Sequence, residues 1–265
     1  MKRFRIAWTL GVIVLLVGFS LNGLFAAEDH LGVIKKRGKL IVGTSADYPP
    51  FESVDKNGKF VGFDMDLVRE IGKRIGVKVE IKDMAFDGLI AATKSKKIDV
   101  VIACLTGTKE RDKQIDFSIP YYFRKDAFLV SGKSDKKFNT PLDAAKMSIG
   151  VQTGSTQEIW VRANLIEPGL MKESQMLLYE RMDNAGLDLN AGRVDTLMLV
   201  AKPARDMAKK LNLKVALETA ETVTAGTCIG MPEGEAALKG ELDRIINEIK
   251  TDGWLDKKYK EFGLL

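Results

Sequence analysis

The stretch Asp99–Tyr122, DVVIACLTGTKERDKQIDFSIPYY, decides how the chain is read. Val100, Val101, Ile102 and Ala103 are a short apolar run of the kind that makes a buried strand, and Cys104-Leu105-Thr106-Gly107 ends it. Thr108 is then placed to cap a polar helical turn through Lys109, Glu110 and Arg111. In an open α/β sheet, ligands bind where strand C-terminal ends meet helix N-termini. The Thr106 hydroxyl and the Arg111 guanidinium would there hold a small carboxylate in bidentate fashion. Taken alone, the stretch reads more simply as a surface turn with Arg111 paired to Glu110 or Asp112. The rest of the chain alters that balance.

At 265 residues and near-average composition, one or two domains with a sizeable core are expected. The first 27 residues differ from the rest. Lys2, Arg3 and Arg5 precede an apolar run from Ile6 to Leu16, and Phe25-Ala26-Ala27 stands before the first acid, Glu28. This is the layout of a secretory signal peptide cut after Ala26 or Ala27. Residues 1–27 carry three positive charges and no negative one, so their removal lowers the formal charge from +5 to +2. The apparent basicity is therefore no argument for nucleic acid. No later apolar run is long enough to cross a bilayer, and a soluble, periplasmic mature chain is expected. Cys104 and Cys228 leave open one disulfide or two free thiols. His30, the only histidine, is expected to fray at the mature N-terminus. With one histidine, neither a histidine triad nor a histidine-rich metal site is available, and neither metal nor cofactor is expected.

The order of elements is that of an α/β protein. Leu31–Arg37 reads as a helix and Lys39–Gly43 as a strand. Thr44–Phe51 reads as a loop carrying Tyr48, and Asp55–Gly58 as a turn. Asp64 is placed to cap a helix whose apolar face is Met65, Leu67, Val68, Ile71 and Ile75, ended by Gly76. A strand at Val77–Lys82, a helix at Phe86–Lys94 and the strand at 100–103 complete a β-α-β-α-β run, the signature of a parallel sheet. Tyr121–Val130 reads as one long strand crossing between lobes, and Thr140-Pro141 opens a short helix. A second series follows. Its strands are Met147–Val151, Gln175–Tyr179, Thr196–Val200 and Lys214–Leu217, with helices from Ser155, at Met182–Ala191 and at Pro203–Leu211. Thr222–Met231 reads as a returning crossing, and Glu235–Lys250 as a terminal helix. Two α/β halves joined by two extended segments make a hinged pair of lobes, 28–122 with 226–265 and 123–225, with a cleft between them.

Several segments resemble the extracellular solute-binding proteins of the polar amino-acid type, which have the type II periplasmic-binding fold. The most specific is Gly62-Phe63-Asp64-Met65-Asp66-Leu67, followed by Ile71, Gly72 and Ile75. TSADYPPFES at Thr44–Ser53, TKER at Thr108–Arg111, GVQTGSTQE at Gly150–Glu158, AGRVD at Ala191–Asp195 and DGW at Asp252–Trp254 support it by their order and spacing. The resemblance implies a ligand held between the lobes. It makes Tyr48 and Phe86 two walls around the ligand stem, Arg111 the carboxylate-binding residue, and Thr106 the hydroxyl beside it. Thr156, with Gly154 and Ser155, would close on the same carboxylate from the start of a second-lobe helix, offering free amides. Gln152 would face the ligand side chain. Ser45 stands where an acid often meets a basic ligand.

One departure bears on the ligand. The resemblance implies an acid at the end of the strand after AGRVD, receiving the ligand α-ammonium, and this chain has Val200 there. Cys104, with Ala103, stands where hydroxyl residues are common. The expectation is a carboxylate-bearing solute with a neutral remainder rather than a standard amino acid, unless Asp47 or Asp206 replaces the missing acid. The fold also implies that the returning crossing runs beside the central strand, which would let Cys104 and Cys228 meet. Delivery of the solute to an ABC permease by a monomeric binding protein is the leading expectation. A cyclohexadienyl-dehydratase-like enzyme lacks an evident general acid here. A receptor module lacks a second membrane segment, so sensing would act through a separate partner.

Overall fold

The computed structural model describes residues 29–223 and 225–265. The signal-peptide reading of residues 1–27 lies outside them. Apolar residues alternate across the strands Lys39–Thr44 and Val100–Val101, and each face is covered by a different layer. Leu40, Val42, Val100 and Ile102 share a buried cluster with Leu67, Val68 and Ile71 of the helix Phe63–Ile75. Val101 and Ala103 instead pack with Leu89, Ile98 and Phe117. This alternation is what a period-2 strand between two layers requires.

Two five-stranded sheets result, built alike. The first runs Lys78–Asp83, Lys39–Thr44, Val100–Val101, Gly230–Met231, Asp116–Phe117. The second runs Met176–Tyr179, Ile149–Gln152, Thr196–Val200, Asp126–Ser131, Leu213–Thr219. In each, the first three strands are parallel and the fourth is antiparallel to both its neighbours. That fourth strand is the one whose chain arrives from the other lobe. The fold is thus the expected α/β pair of lobes with a double crossover. A hairpin sheet of Asp47–Tyr48, Glu52–Val54 and Phe60–Val61 projects from the first lobe.

The crossings are shorter as strands than the sequence pattern predicts. The outgoing one becomes regular only at Asp126, and the returning one only at Gly230. Between them Thr227 forms single bridges to Thr106 and to Tyr122, with Tyr121 N donating to Thr227 O and Thr227 N to Tyr122 O. A few bridges at one residue leave the crossings freer to bend than a continuous ladder would.

Two local expectations are corrected, and the alternative left open at the cysteines is decided. Gly62, not Asp64, precedes the first turn of the helix Phe63–Ile75, whose Phe63 and Asp64 amides donate to the Pro50 and Phe51 carbonyls. Asp64 is fully buried and accepts from Cys104 N (2.7 Å) and Tyr121 OH (2.8 Å), tying that helix to the floor of the cleft. His30 is not frayed: it begins the helix His30–Arg37, is buried, and its Nε2 lies 2.9 Å from Asp99 Oδ1. Cys104 and Cys228 are both buried free thiols. They pack in different core clusters, Cys104 with Leu40 and Val100, Cys228 with Leu89 and Phe117, which leaves no bridge between them.

Candidate functional site

Arg111 is the centre of the interlobe cleft. It opens the short 3-10 turn Arg111–Lys113, where the Thr108 hydroxyl accepts its amide. Its side chain is buried, which rules out the surface pairing with Glu110 or Asp112. The guanidinium donates to Thr106 O at 2.8 Å and, across the cleft, to Gly154 O at 2.9 Å, and it lies over the Phe86 ring. Among the described residues it has no carboxylate partner. Burial, with the Arg124 guanidinium nearby, lowers its pKa to about 10, so it stays a cation at neutral pH. A buried guanidinium held only by carbonyls is a group that an anion would stabilise strongly.

The second lobe meets it at Gly154-Ser155-Thr156. Ser155 caps the helix Thr156–Val161 by accepting from Glu158 N. The three residues do not offer a row of free amides, however. Gly154 N donates to the Glu158 carboxylate and Ser155 N to Gln152 O. What faces the cleft is the Gly154 carbonyl and the Thr156 hydroxyl. At Gly154, in the left-handed region at φ 73°, an added Cβ would lie 3.2 Å from the Asp87 Cα, so the lobes are nearly touching.

All nine candidate residues, Tyr48, Phe86, Cys104, Thr106, Arg111, Gln152, Ser155, Thr156 and Val200, line one nearly filled cleft with about 20 Å³ of free space. Tyr48 and Phe86 stand on its first-lobe side. The Tyr48 hydroxyl oxygen accepts the Val200 amide at 2.8 Å, a second tie between lobes, and burial raises its pKa well above 10. Gln152 ends the strand Ile149–Gln152 with its Nε2 buried and unpartnered.

Three residues that matter here were missed: Arg124, Asp126 and Gln157. Arg124 and Gln157 line the same cleft. The Arg124 guanidinium pairs with Asp126 and also donates to the hydroxyls of Thr106 (3.0 Å) and Thr156 (2.8 Å). Asp126 accepts further from Gln157 Nε2 and the Thr222 hydroxyl, both at 2.7 Å. The signal was a charged run, Arg124-Lys125-Asp126, inside a crossing that otherwise reads as apolar.

Val200 does line the cleft, but the acid is nearby. Asp126 sits opposite Val200 in the antiparallel register, where side chains of facing residues are neighbours. Asp47 and Asp206 do not substitute for it. Asp47 accepts from the Ser45 hydroxyl and Met182 N, and Asp206 pairs with Lys202. Both border a separate cavity of about 510 Å³, open and mostly apolar, on which Tyr48 also abuts. That larger space holds no arginine. The buried unpaired cation makes the small cleft the candidate site.

The sequence profile of the bacterial extracellular solute-binding proteins, family 3, matches residues 40–264. The L-cystine-binding protein TcyJ of Escherichia coli strain K12 is 30% identical over 92% of this chain and 89% of its own length. The arginine-binding extracellular protein ArtP of Bacillus subtilis strain 168 is 29% identical over 96% of this chain and 97% of its own. A solved ancestral arginine-binding protein bound to arginine superposes with a TM-score of 0.79 at 38% identity, covering 85% of this chain and 98% of that one. The ancestral amino-acid-binding protein AncCDT-1, described as a precursor of cyclohexadienyl dehydratase, gives 0.79 at 32% identity over 88% and 98%. With its two-lobe fold, its interlobe cleft and a profile match over nearly its whole described length, this chain belongs to the bacterial extracellular solute-binding proteins, family 3.

Proposed function

We propose that this chain is the periplasmic solute-binding component of an ABC importer, which captures a small carboxylate-bearing solute by lobe closure and presents it to an inner-membrane permease. The relatives named as transporter binding proteins support the class. The single observation that carries the ligand chemistry is the buried Arg111 guanidinium, which spans from Thr106 O to Gly154 O without a carboxylate. In this reading residues 28–122 with 226–265 form one lobe and 123–225 the other, following cleavage after Ala26 or Ala27. Arg111 and Thr106 receive the carboxylate, Thr156 and Ser155 close on it, Tyr48 and Phe86 flank the stem, and Gln152, Cys104 and Val200 bound the remainder. Differential contact with the closed state is what makes ligand drive closure. The chain acts as a monomer, without cofactor, metal or nucleic acid.

Binding rather than catalysis is favoured by the lining. Among the described residues the cleft lining holds no aspartate, glutamate or histidine, the adjacent Asp126 is paired with Arg124, and the Cys104 thiol is held well above its usual range by burial. A dehydratase would need a general acid there. Thermal-shift screening of the purified protein against amino acids, keto acids, hydroxy acids and dicarboxylates tests the reading, because a ligand that binds only the folded state raises its stability with concentration. A carboxylate hit abolished by Arg111→Ala supports it. A hit insensitive to that change, or substrate turnover in the same mixture, overturns it.

A further inference from the structure

We propose that the cleft selects an ammonium-free acid with an oxygen beside its carboxylate, a 2-oxo or 2-hydroxy carboxylate, and that Arg124 and Gln152 enforce the choice. The inference rests on the carboxylate reading of Arg111 and specifies what stands next to that carboxylate.

Two buried donors on the cleft lining have no partner, Arg124 Nε and Gln152 Nε2. Arg124 has a side chain only 2% exposed, with its Nη atoms committed to Asp126, Thr106 and Thr156. An unpaired buried donor is costly, and an acceptor oxygen relieves the cost where an ammonium cannot. The carboxylate groups give the same answer. Asp126, opposite position 200, already accepts from Arg124, Gln157 and Thr222. The chain's own guanidinium thus already sits on the one acid near the strand end.

Charge balance agrees. Two guanidiniums and one carboxylate leave the closed cleft with one net positive charge. A monoanion neutralises it. A zwitterionic amino acid leaves it in place and adds an ammonium beside two guanidiniums, where like charges repel strongly at low dielectric. A dicarboxylate would overshoot to net negative.

Calorimetry on the purified protein with skeleton-matched probes tests this: alanine, lactate and pyruvate; leucine with its 2-hydroxy and 2-oxo acids; glutamate, 2-hydroxyglutarate and 2-oxoglutarate; and succinate. In at least one set the oxo or hydroxy acid is expected to bind at least about 100-fold more tightly than the amino acid. The paired variant Arg124→Gln with Asp126→Asn, which leaves no buried charge unpartnered, is expected to reduce that ratio to below about tenfold. Gln152→Leu should reduce it on its own, with folding intact. An amino acid binding as tightly as its oxo counterpart, with sensitivity to Arg111→Ala, overturns this inference and leaves the carboxylate reading standing. A ratio unmoved by both variants also overturns it. So does succinate matching 2-oxoglutarate, since a second carboxylate would then be what is read. Failure of every acid to bind would remove the carboxylate reading itself, and this inference with it.

Discussion

The Arg111 guanidinium donates to the Gly154 carbonyl at 2.9 Å across the cleft, so the same cation that would meet a ligand also holds the lobes together. It is buried with no carboxylate, and that arrangement costs stability for the sake of binding. Replacing it with an apolar side chain of similar length is therefore expected to separate the two effects. Arg111→Met should leave the ligand-free protein, whose open lobes let water reach this position, at or slightly above its original stability in urea denaturation. Calorimetry on the same variant should show ligand affinity lower by at least about 100-fold. Loss of both stability and binding would mean that Arg111 is part of the scaffold.

Tyr48 supplies a second interlobe tie through its acceptance of the Val200 amide. Tyr48→Phe keeps the aromatic wall and leaves that buried amide unpaired only in the closed form, at about 1–3 kcal/mol. The open form, where water reaches the amide, is unaffected. Ligand affinity should therefore fall by about 5- to 100-fold, with little change in the ligand-free denaturation midpoint. Small-angle scattering at saturating ligand should still report closure.

Behind the cleft floor, Glu52 and Asp64 are neighbouring, buried carboxyls. Burial raises Asp64 to about 7, against the lowering pull of Cys104 N and Tyr121 OH, and burial with the Asp64 charge beside it holds Glu52 well above its usual range. The folded protein thus holds protons that the unfolded chain releases near pH 4. The sign follows directly: stability is fully present below about pH 4 at this pair and is lost as pH rises through 7. The urea midpoint should decline from pH 5 to pH 8. Asp64→Asn, whose single amide oxygen can still accept from Cys104 N while its NH2 meets the Tyr121 hydroxyl oxygen, should flatten that decline. An unchanged slope in the variant would place the titration elsewhere.

The lobes and the order of their strands were legible because each strand carries its own alternation of buried faces, as Val100 and Val101 illustrate. The nine cleft residues were legible because motif order fixes their place at strand ends and helix starts. Arg124 was not, because its one local mark, the charge pair with Asp126, does not say what it serves. Its partners Thr106 and Thr156 lie 18 and 32 residues away in sequence, and Asp126 is completed by Thr222, 96 residues on. Asp64 was misread for a related reason. An aspartate at a helix start is most often a cap, and only the tertiary approach of Cys104 and Tyr121 gives it another use.

Gly62 begins the most specific motif in the chain, and its backbone explains why. It adopts φ 127°, a conformation that L side chains rarely take, while the two amides after it donate to Pro50 and Phe51 carbonyls. A Cβ added there would lie 2.2 Å from the Phe51 oxygen and 2.8 Å from that of Pro50. Neither oxygen can retreat without releasing the amides of Phe63 and Asp64, and Asp64 in turn holds Cys104 at the cleft. Gly62→Ala combines backbone strain with a steric clash against main chain, and about 2–4 kcal/mol of destabilisation is expected. The measurement is the urea midpoint at constant slope. Gly58→Ala serves as the control: it shares a positive φ of 76° but has open space around its would-be Cβ, so it should cost only about 1 kcal/mol. Equal losses at the two positions would mean that φ alone sets the requirement and that the contact with the hairpin does not.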